Sequence, residues 1–436
     1  MSNDYRPKIV IIGGGFGGMM AAKQLAKHEV DVTLIDKNNY HVFVPMLYQV
    51  AAAEIDSHDI VYPLREIFHT WDHVSFKLGS VTDIDIENKF VKTANKEYPY
   101  DYLIVAAGST SNFFGIPGAI EHSYPLKNME QSIVLRNHII CAYEQADQTT
   151  DEETRKRLLT FVIVGGGATG VEFAGALTEL FRGPLRTDFP NIDYEKDVKV
   201  VLVDALESSV PFMPTRLQNY TNEKLQKMGV ELHFKKMVTE ISPTRVCFKD
   251  GSQIDTETVV WTAGVQGNIL AKNWNLPVGR GGRIAVNEFL QLPDHSEIYI
   301  VGDLAAVTDF KTEKPIPMVA TAAIQEGVHA ARNIVRDAEK KKKKPFVYND
   351  KGQMVVIGRN RGIALIKGKM FSGFIAWILW MLVHIYYLIG FKKKLLVLIS
   401  WAWDYIAFQR LGRTIFPSIK KETEDGYHSS CDCGKY

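Results

Sequence analysis

The residues that could do chemistry fall into two matching sets. The first is Gly13, Gly14, Gly15, Phe16, Gly17 and Gly18, with Asp36 eighteen residues after Gly18. The second is Gly165, Gly166, Gly167, Ala168, Thr169 and Gly170, with Asp204 further on. Glycine at the first turn position permits a tight bend, at the second it lets a pyrophosphate approach the backbone, and at the third it lets helix and strand pack closely. The helix that follows aims its N-terminal N–H groups at phosphate, and a carboxylate at the end of the next strand accepts hydrogen bonds from a ribose. Each set reads as a dinucleotide cradle. Two cradles in one chain, 152 residues apart, imply two dinucleotides and electron traffic between them. Asp204 would accept from a free 2′-hydroxyl and repel a 2′-phosphate, which favours NADH over NADPH. Glu172, two residues past Gly170, has two readings. It is a carboxylate favoured by the helix dipole, worth roughly 0.3–1 kcal/mol, or a side chain beside the reactive end of the bound dinucleotide. Spacing alone does not choose.

The elements that must position these groups are legible. Lys8 to Ile12 and Phe161 to Val164 are apolar runs leading into the two turns. A helix follows the first turn from about Phe16 to Lys27, and the strands Asp31 to Ile35 and Val198 to Val203 end at the two aspartates. The longer second spacing is an insertion over Arg182 to Lys196, which holds Gly183, Pro184 and Pro190. Two further buried strands end in small residues, Leu103 to Gly108 and Ile298 to Asp303. Asp303 stands where it can hydrogen-bond the ribityl or phosphate region of a flavin. The pattern is an α/β chain with two Rossmann-like dinucleotide-binding domains, one interrupted by the other, and a C-terminal membrane-associated helical module. The expected boundaries are 1–117 with 281–336 for the first domain and 118–280 for the second. The C-terminal module covers 337–418 and a disordered tail covers 419–436.

Charges nearly cancel over the 436 residues, so a nucleic-acid partner has no global electrostatic support. The start, Met1 to Pro7, reads without an apolar signal-peptide region, so the glycine turns are expected to face the cytoplasm. Four cysteines are too few for a disulfide scaffold.

At this point the chain resembles the two-dinucleotide-fold flavoproteins, through the two glycine turns, the Ala106-Ala107-Gly108 strand end and the late Gly302-Asp303. It is most similar to their type II NADH:quinone oxidoreductases. The matching stretches are Pro45 to Ala51, Gly165 to Leu177, Val260 to Val265 and His384 to Trp403, and the resemblance runs from about Lys8 to Ile415. It implies FAD at the first turn and NADH at the second. It places Asp36 and Lys37 near the adenosine, Val81 near the adenine, and Tyr48 and Gln49 towards the isoalloxazine. Ala107, Gly108, Asp303 and Ala320 would make the flavin's other contacts, Ala263 and Gly264 would join the NADH site, and Glu172 would lie by the nicotinamide. The family's helix beside the flavin often carries two glutamines. Here the second is Gln325 and the first has become Thr321, so the resemblance assigns both to a quinone pocket of altered shape. The implied reaction moves hydride from NADH to FAD and then two electrons to a membrane quinone, in respiratory NADH oxidation without proton pumping. Glu172 and Gln325 are its catalytic candidates, and no metal is implied.

The C-terminal module has a different solvent. Phe371 to Phe391 is 21 residues of apolar and aromatic character, Lys392 to Lys394 follow, and Leu395 to Phe408 adds 14 more containing Asp404. From Phe391 to Lys421 there are seven cationic side chains, including Arg410 and Arg413. One reading is a single spanning helix. The other, which the resemblance favours, is a pair of helices lying on the cytoplasmic face of the cell membrane, with a basic rim against anionic lipid. The aromatic helices could also pair across a two-fold axis as a homodimer. His384 reads as a packed or interfacial histidine, and the five lysines from Lys340 to Lys344 as a solvated loop. Cys141 and Cys247 are isolated in sequence, which argues against disulfide reductases and sulfide-oxidising relatives. Cys431 and Cys433, near His428, sit in the polar tail. Two competing readings are a ferredoxin or rubredoxin reductase, disfavoured by the apolar module, and a redox sensor without turnover.

Overall fold

The computed structural model describes residues 5–407, 410 and 412–415. The expected tail, with Cys431 and Cys433, lies outside the described residues. In chain order the elements that position the sites are β1 (Lys8–Ile12), α1 (Phe16–Leu25), β2 (Asp31–Asp36), α2 (Leu47–Ala51), β3 (Val74–Leu78), β4 (Tyr102–Val105), β5 (Thr160–Val164), α3 (Ala168–Leu180), β6 (Lys199–Val203), β7 (Val230–His233), β8 (Thr258–Trp261), β9 (His295–Ile300), α4 (Ala320–Ala338), β10 (Gln353–Gly358), β11 (Arg361–Ile366), β12 (Lys369–Gly373), α5 (Phe374–Tyr387) and α6 (Phe391–Ala407).

The chain divides into two compact units: residues 1–42, 61–110 and 265–351, and residues 43–60, 111–264 and 352–436. In the first unit a six-stranded sheet has the order Gln291–Leu292, β9, β4, β1, β2, β3. Its five long strands are parallel, with Lys8 opposite Asp31, Ile9 opposite Tyr102, Val32 opposite Val74 and Ile298 opposite Leu103. β1 and β4 are apolar without alternation because helices cover both faces of a parallel sheet. Helices α1 and α4 pack closely, since a Cβ on Gly327 would meet the carbonyl of Gly17.

The second unit repeats the plan with five strands in the order Tyr124–Pro125, β8, β5, β6, β7, all parallel. Both units therefore have the doubly wound order in which ligands bind beyond the carboxyl ends of the strands. The presumed insertion after Arg182 is partly helical: α3 runs on through a π-helical turn at Phe181–Leu185 and a short turn at Arg186–Asp188. Arg182 lies 4.9 Å over the Tyr194 ring.

The C-terminal segment differs from the expectation in three ways. It begins with an antiparallel sheet, β10 to β12, that the sequence reading missed. The 21-residue apolar stretch is cut at Gly373, which takes φ +75° to end β12, leaving α5 only 14 residues long. At 1.5 Å per residue α5 covers about 21 Å, short of a hydrocarbon core of about 30 Å. No helix among the described residues is long and apolar enough to cross a membrane. Finally, Lys392 to Lys394 form no connector; they lie in the first turn of α6.

Candidate functional site

The two cradles are built alike, atom for atom. In the first, Gly13 takes φ +102°, and a Cβ on Gly18 would strike the Gly13 carbonyl. In the second, Gly165 takes φ +113°, and a Cβ on Gly170 would strike the Gly165 carbonyl. Gly15 and Gly167 cap α1 and α3, and a Cβ at either would meet nothing within 4 Å. Those positions are open space above a helix N-terminus. No side chain caps either helix, and neither first turn carries an acid, so the N–H groups and the positive end of the dipole are left for an anion. The residues thus fit a dinucleotide pyrophosphate in both places.

The aspartates brace the turns themselves. Asp36 Oδ2 accepts from Gly14 N at 2.6 Å and Oδ1 from Asn38 N at 2.7 Å. Asp204 Oδ2 accepts from Gly166 N at 2.5 Å and Oδ1 from Leu206 N at 2.7 Å. Each carboxylate pins the middle glycine of its turn and its own loop, and keeps spare lone pairs for hydroxyl groups. Burial raises Asp36, against the pull of those two N–H donors.

His41, which sequence reasoning missed, completes the first turn. It is buried, its Nδ1–H donates to the Gly14 carbonyl at 2.9 Å, and its ring meets Phe16 edge-on at 5.0 Å. Burial lowers it to about 4, so the imidazole is neutral at physiological pH. Around the same turn, Ala107 and Gly108 follow β4 with their carbonyls held by Asn268. Ser109 Oγ donates to Asp303. Val81 starts its strand and accepts at its carbonyl from Trp274 Nε1, Ala320 begins α4, and Lys37 is exposed. Glu326 on α4 was also missed. It is 2 % exposed, its Oε2 accepts from Gly302 N at 2.6 Å, and burial raises it to about 8.

Thr321 and Gln325 stand one turn apart on α4. Gln325 Nε2 donates to the carbonyls of Thr321 and Asn349, both at 3.0 Å, and its Oε1 accepts from Asn349 N at 3.0 Å. Thr321 Oγ1 lies 3.2 Å from the Tyr348 hydroxyl. The pair therefore ties the segment after the lysine run to α4.

In the second unit, Ala168 and Thr169 open α3, and Thr262 Oγ1 donates to the carbonyls of Val164 and Gly165, holding the Ala263-Gly264 turn beside the glycines. Glu172 is the fifth residue of α3, beyond its first turn, and is 9 % exposed. It is not a surface carboxylate on a helix dipole. Its Oε1 accepts from Trp380 Nε1 at 3.0 Å and from Val356 N at 3.3 Å. Burial outweighs both donors and raises it to about 8. With Oε1 occupied by two donors, the proton it carries sits on Oε2. Trp380 is held from behind by His384, stacked at 3.7 Å with its Nδ1–H on the Trp380 carbonyl. Tyr48 and Gln49 on α2 belong to this unit and line a cavity with Glu172.

Not every cation of the C-terminal segment faces outward. Arg410 is buried, donating to the carbonyls of Ala52 and Ala176 and pairing with Glu179 at 3.2 Å, and Arg413 pairs with Asp188 at 2.6 Å. They drop out of the expected basic rim. Phe374, Ile375, Leu382, Tyr386, Phe391, Ile399 and Ile406 are exposed on α5 and α6.

The sequence profile of the pyridine nucleotide-disulphide oxidoreductase family matches residues 7–327. The type II NADH:quinone oxidoreductase Ndh of Mycobacterium tuberculosis is 38% identical over 425 residues, covering 94% of this chain and 90% of that protein. The type II NADH:quinone oxidoreductase of Staphylococcus haemolyticus is 31% identical, covering 84% of this chain and 92% of that one. Among solved structures, NDH2 of Plasmodium falciparum in complex with NADH superposes with a TM-score of 0.87 at 18% identity, over 94% of this chain and all of that one.

Proposed function

Because the chain belongs to the type II NADH:quinone oxidoreductases, a branch of the pyridine nucleotide-disulphide oxidoreductases, we propose that it oxidises NADH and reduces a membrane quinone, with FAD as its resident cofactor and without pumping protons. The observation that carries this reading is the duplicated cradle: two glycine turns, each pinned by its own aspartate beneath an uncapped helix. FAD, when bound, supplies a two-electron carrier that accepts hydride from NADH and can pass electrons to a quinone.

The chain's residues bind, orient and protonate. Gly13 to Gly18, Asp36, Lys37, Val81, Ala107, Gly108, Asp303 and Ala320 hold FAD, together with Tyr48 and Gln49. Gly165, Gly167, Ala168, Thr169, Gly170, Asp204, Ala263 and Gly264 hold NADH. By this assignment residues 1–117 and 281–336 serve FAD, 118–280 serve NADH, and 337–418 serve the membrane. Asp204 selects the free 2′-hydroxyl by accepting from it. His41 fixes the Gly14 carbonyl without adding charge beside a pyrophosphate. Glu172 orients the nicotinamide and holds a proton on Oε2 at neutral pH, in reach of a donor role. Thr321 and Gln325 line the quinone pocket. Both Gln325 N–H groups are already on carbonyls, so donation to a quinone oxygen requires release of the Asn349 strap.

The exposed apolar side chains of α5 and α6 lie in the cytoplasmic leaflet, with Lys392 at their edge, so the protein is monotopic and collects its quinone from the lipid. The test is NADH oxidation by flavin-loaded protein with a short-chain quinone. Sustained turnover with quinol formation supports the reading, and a single flavin reduction without turnover refutes it.

A further inference from the structure

Beside Glu172, the second unit encloses a cavity of about 50 Å³ lined by Tyr48, Glu54, Glu172, Glu179, Arg359 and Asp404. One water needs roughly 10–15 Å³ of such space, so several fit among these polar groups. Two of the four acids are matched by cations. Glu179 pairs with Arg410 at 3.2 Å and accepts from Arg359 N at 2.6 Å, while Asp404 lies 3.7 Å from the Arg359 guanidinium and 3.8 Å from that of Arg410. Glu54 and Glu172 form no ion pair among the described residues, while the arginines beside them pair with Glu179 and Asp404.

The backbone fixes Glu54 in place. Helix α2 ends in a turn where Ala53 N donates to the Val50 carbonyl and Glu54 N to the Gln49 carbonyl at 2.7 Å. Glycine is the usual residue at the left-handed position of that turn. Here it is Ala53, at φ +54° and fully buried. The strained turn sets the Glu54 side chain against Gln49, whose Nε2 donates to Glu54 Oε1 at 3.3 Å and to the Tyr48 hydroxyl at 3.2 Å. Trp401 Nε1 steadies Gln49 from its other end at 3.3 Å. Unlike Glu172, Glu54 keeps part of its surface accessible.

We propose that Glu54 is a proton relay, a positioning residue that takes protons from water and hands them through the cavity to the carboxyl of Glu172. The inference rests on the quinone-reducing reading above and deepens it. Reducing a quinone with NADH consumes one proton beyond the one NADH brings: NADH, quinone and H⁺ give NAD⁺ and quinol. In the relay step the O–H bond of Glu54 breaks, a cavity water carries the proton, and the O–H bond of Glu172 re-forms after Glu172 has given its own proton up. Glu54 then recovers a proton from solvent, so charge and atoms balance. The groups facing Glu54 agree with this direction. Burial raises it to about 7, with Arg410 and Arg359 pulling down and Asp404 and Glu179 pushing up. Glu172, raised to about 8, is the stronger proton holder of the two.

The experiment uses full-length flavin-loaded protein, as wild type, Glu54→Gln, Glu54→Asp and Glu54→Ala. Stopped-flow absorbance follows flavin reduction by NADH and flavin reoxidation by a soluble quinone separately, between about pH 6 and pH 9, a range that spans both carboxyls. Infrared spectra of the resting protein follow the protonated-carboxyl band over the same range. Glu54→Gln is expected to reduce its flavin at the wild-type rate and to reoxidise roughly tenfold more slowly, below the loss expected of a direct donor. It loses the part of the infrared band that titrates near neutrality, and Glu54→Asp recovers most of the rate. Wild-type reoxidation at every pH, with an unchanged band, overturns the relay. If Glu54→Gln does not retain flavin, Glu54→Ala carries the test, since a wild-type reoxidation rate and band in that variant, which has no carboxyl at 54, also overturn it. Absence of quinone turnover in the wild type removes the functional reading itself; turnover in the wild type with an indifferent variant removes only the relay.

Discussion

Replacing Glu172 by Gln isolates the cost of keeping a carboxyl under Trp380. In the folded protein burial raises Glu172 from 4.5 to about 8. Below the unfolded value both states hold the proton and the group contributes no pH dependence. As pH rises above 4.5 the unfolded chain releases the proton and the folded one keeps it, so wild-type stability falls by about 1.4 kcal/mol per pH unit until the folded group ionises. From pH 5 to pH 7 that is roughly 3 kcal/mol, and the ceiling over the whole span is about 5 kcal/mol. Glutamine keeps an oxygen for the two N–H donors and never ionises. Urea unfolding of wild type and Glu172→Gln at a series of pH values, compared at equal flavin occupancy, should therefore show the variant gaining on the wild type as pH rises. A difference that stays constant between about pH 5 and pH 8 would mean that Glu172 is ionised in the folded protein. The proton-holding role would then fall.

Four further outcomes follow from the same contacts. Asp204→Asn removes the charge that accepts from Gly166 N and, in the proposed function, from a ribose hydroxyl; at roughly 1.5–3 kcal/mol for a charged hydrogen bond, the KM for NADH should rise by about tenfold or more, and preference over NADPH should narrow. Unchanged preference in steady-state assays would remove Asp204 from that role. Ala53→Gly relieves a left-handed alanine and should stabilise the protein by about 0.5–1 kcal/mol, seen as a raised urea midpoint; a lowered midpoint would contradict the strain. His41→Leu leaves the Gly14 carbonyl without its donor at a buried site, at a cost of about 1–3 kcal/mol, and should weaken FAD retention on gel filtration, whereas full retention would make His41 mere packing. Ile375→Asp with Leu382→Asp should reduce sedimentation with anionic vesicles without altering NADH-driven flavin reduction, and undiminished binding would exclude α5 as the membrane face.

What could be read before the fold was known is what local backbone chemistry dictates. Gly13 and Gly165 must be glycine because their φ angles are positive, and Gly18 and Gly170 because a carbonyl occupies the place of a side chain. Such constraints leave a mark within a few residues. The environment of Glu172 left none, because Trp380 and Val356 come from 208 and 184 residues away. Glu54, His41 and Glu326 were invisible for the same reason: a single acid or histidine in an ordinary run says nothing until distant elements bury it. The sheet β10 to β12 was overlooked because its strands, Gln353–Gly358 and Arg361–Ile366, border a longer apolar stretch that reads as one hydrophobic block. The two turns that divide that block hang on Gly373 and Gly390, at φ +75° and +82°. Gly175 is similar. Inside α3 it reads as a weak helix residue, yet a Cβ there would strike the Ile357 carbonyl, so it is the place where β10 lies against the helix that carries Glu172.

The account stands or falls on quinone-dependent turnover. Purified protein with bound FAD, supplied with NADH and a soluble quinone, is predicted to form one quinol for each NADH consumed through many cycles. Flavin that bleaches once under NADH and stays reduced while the quinone remains unchanged would contradict it.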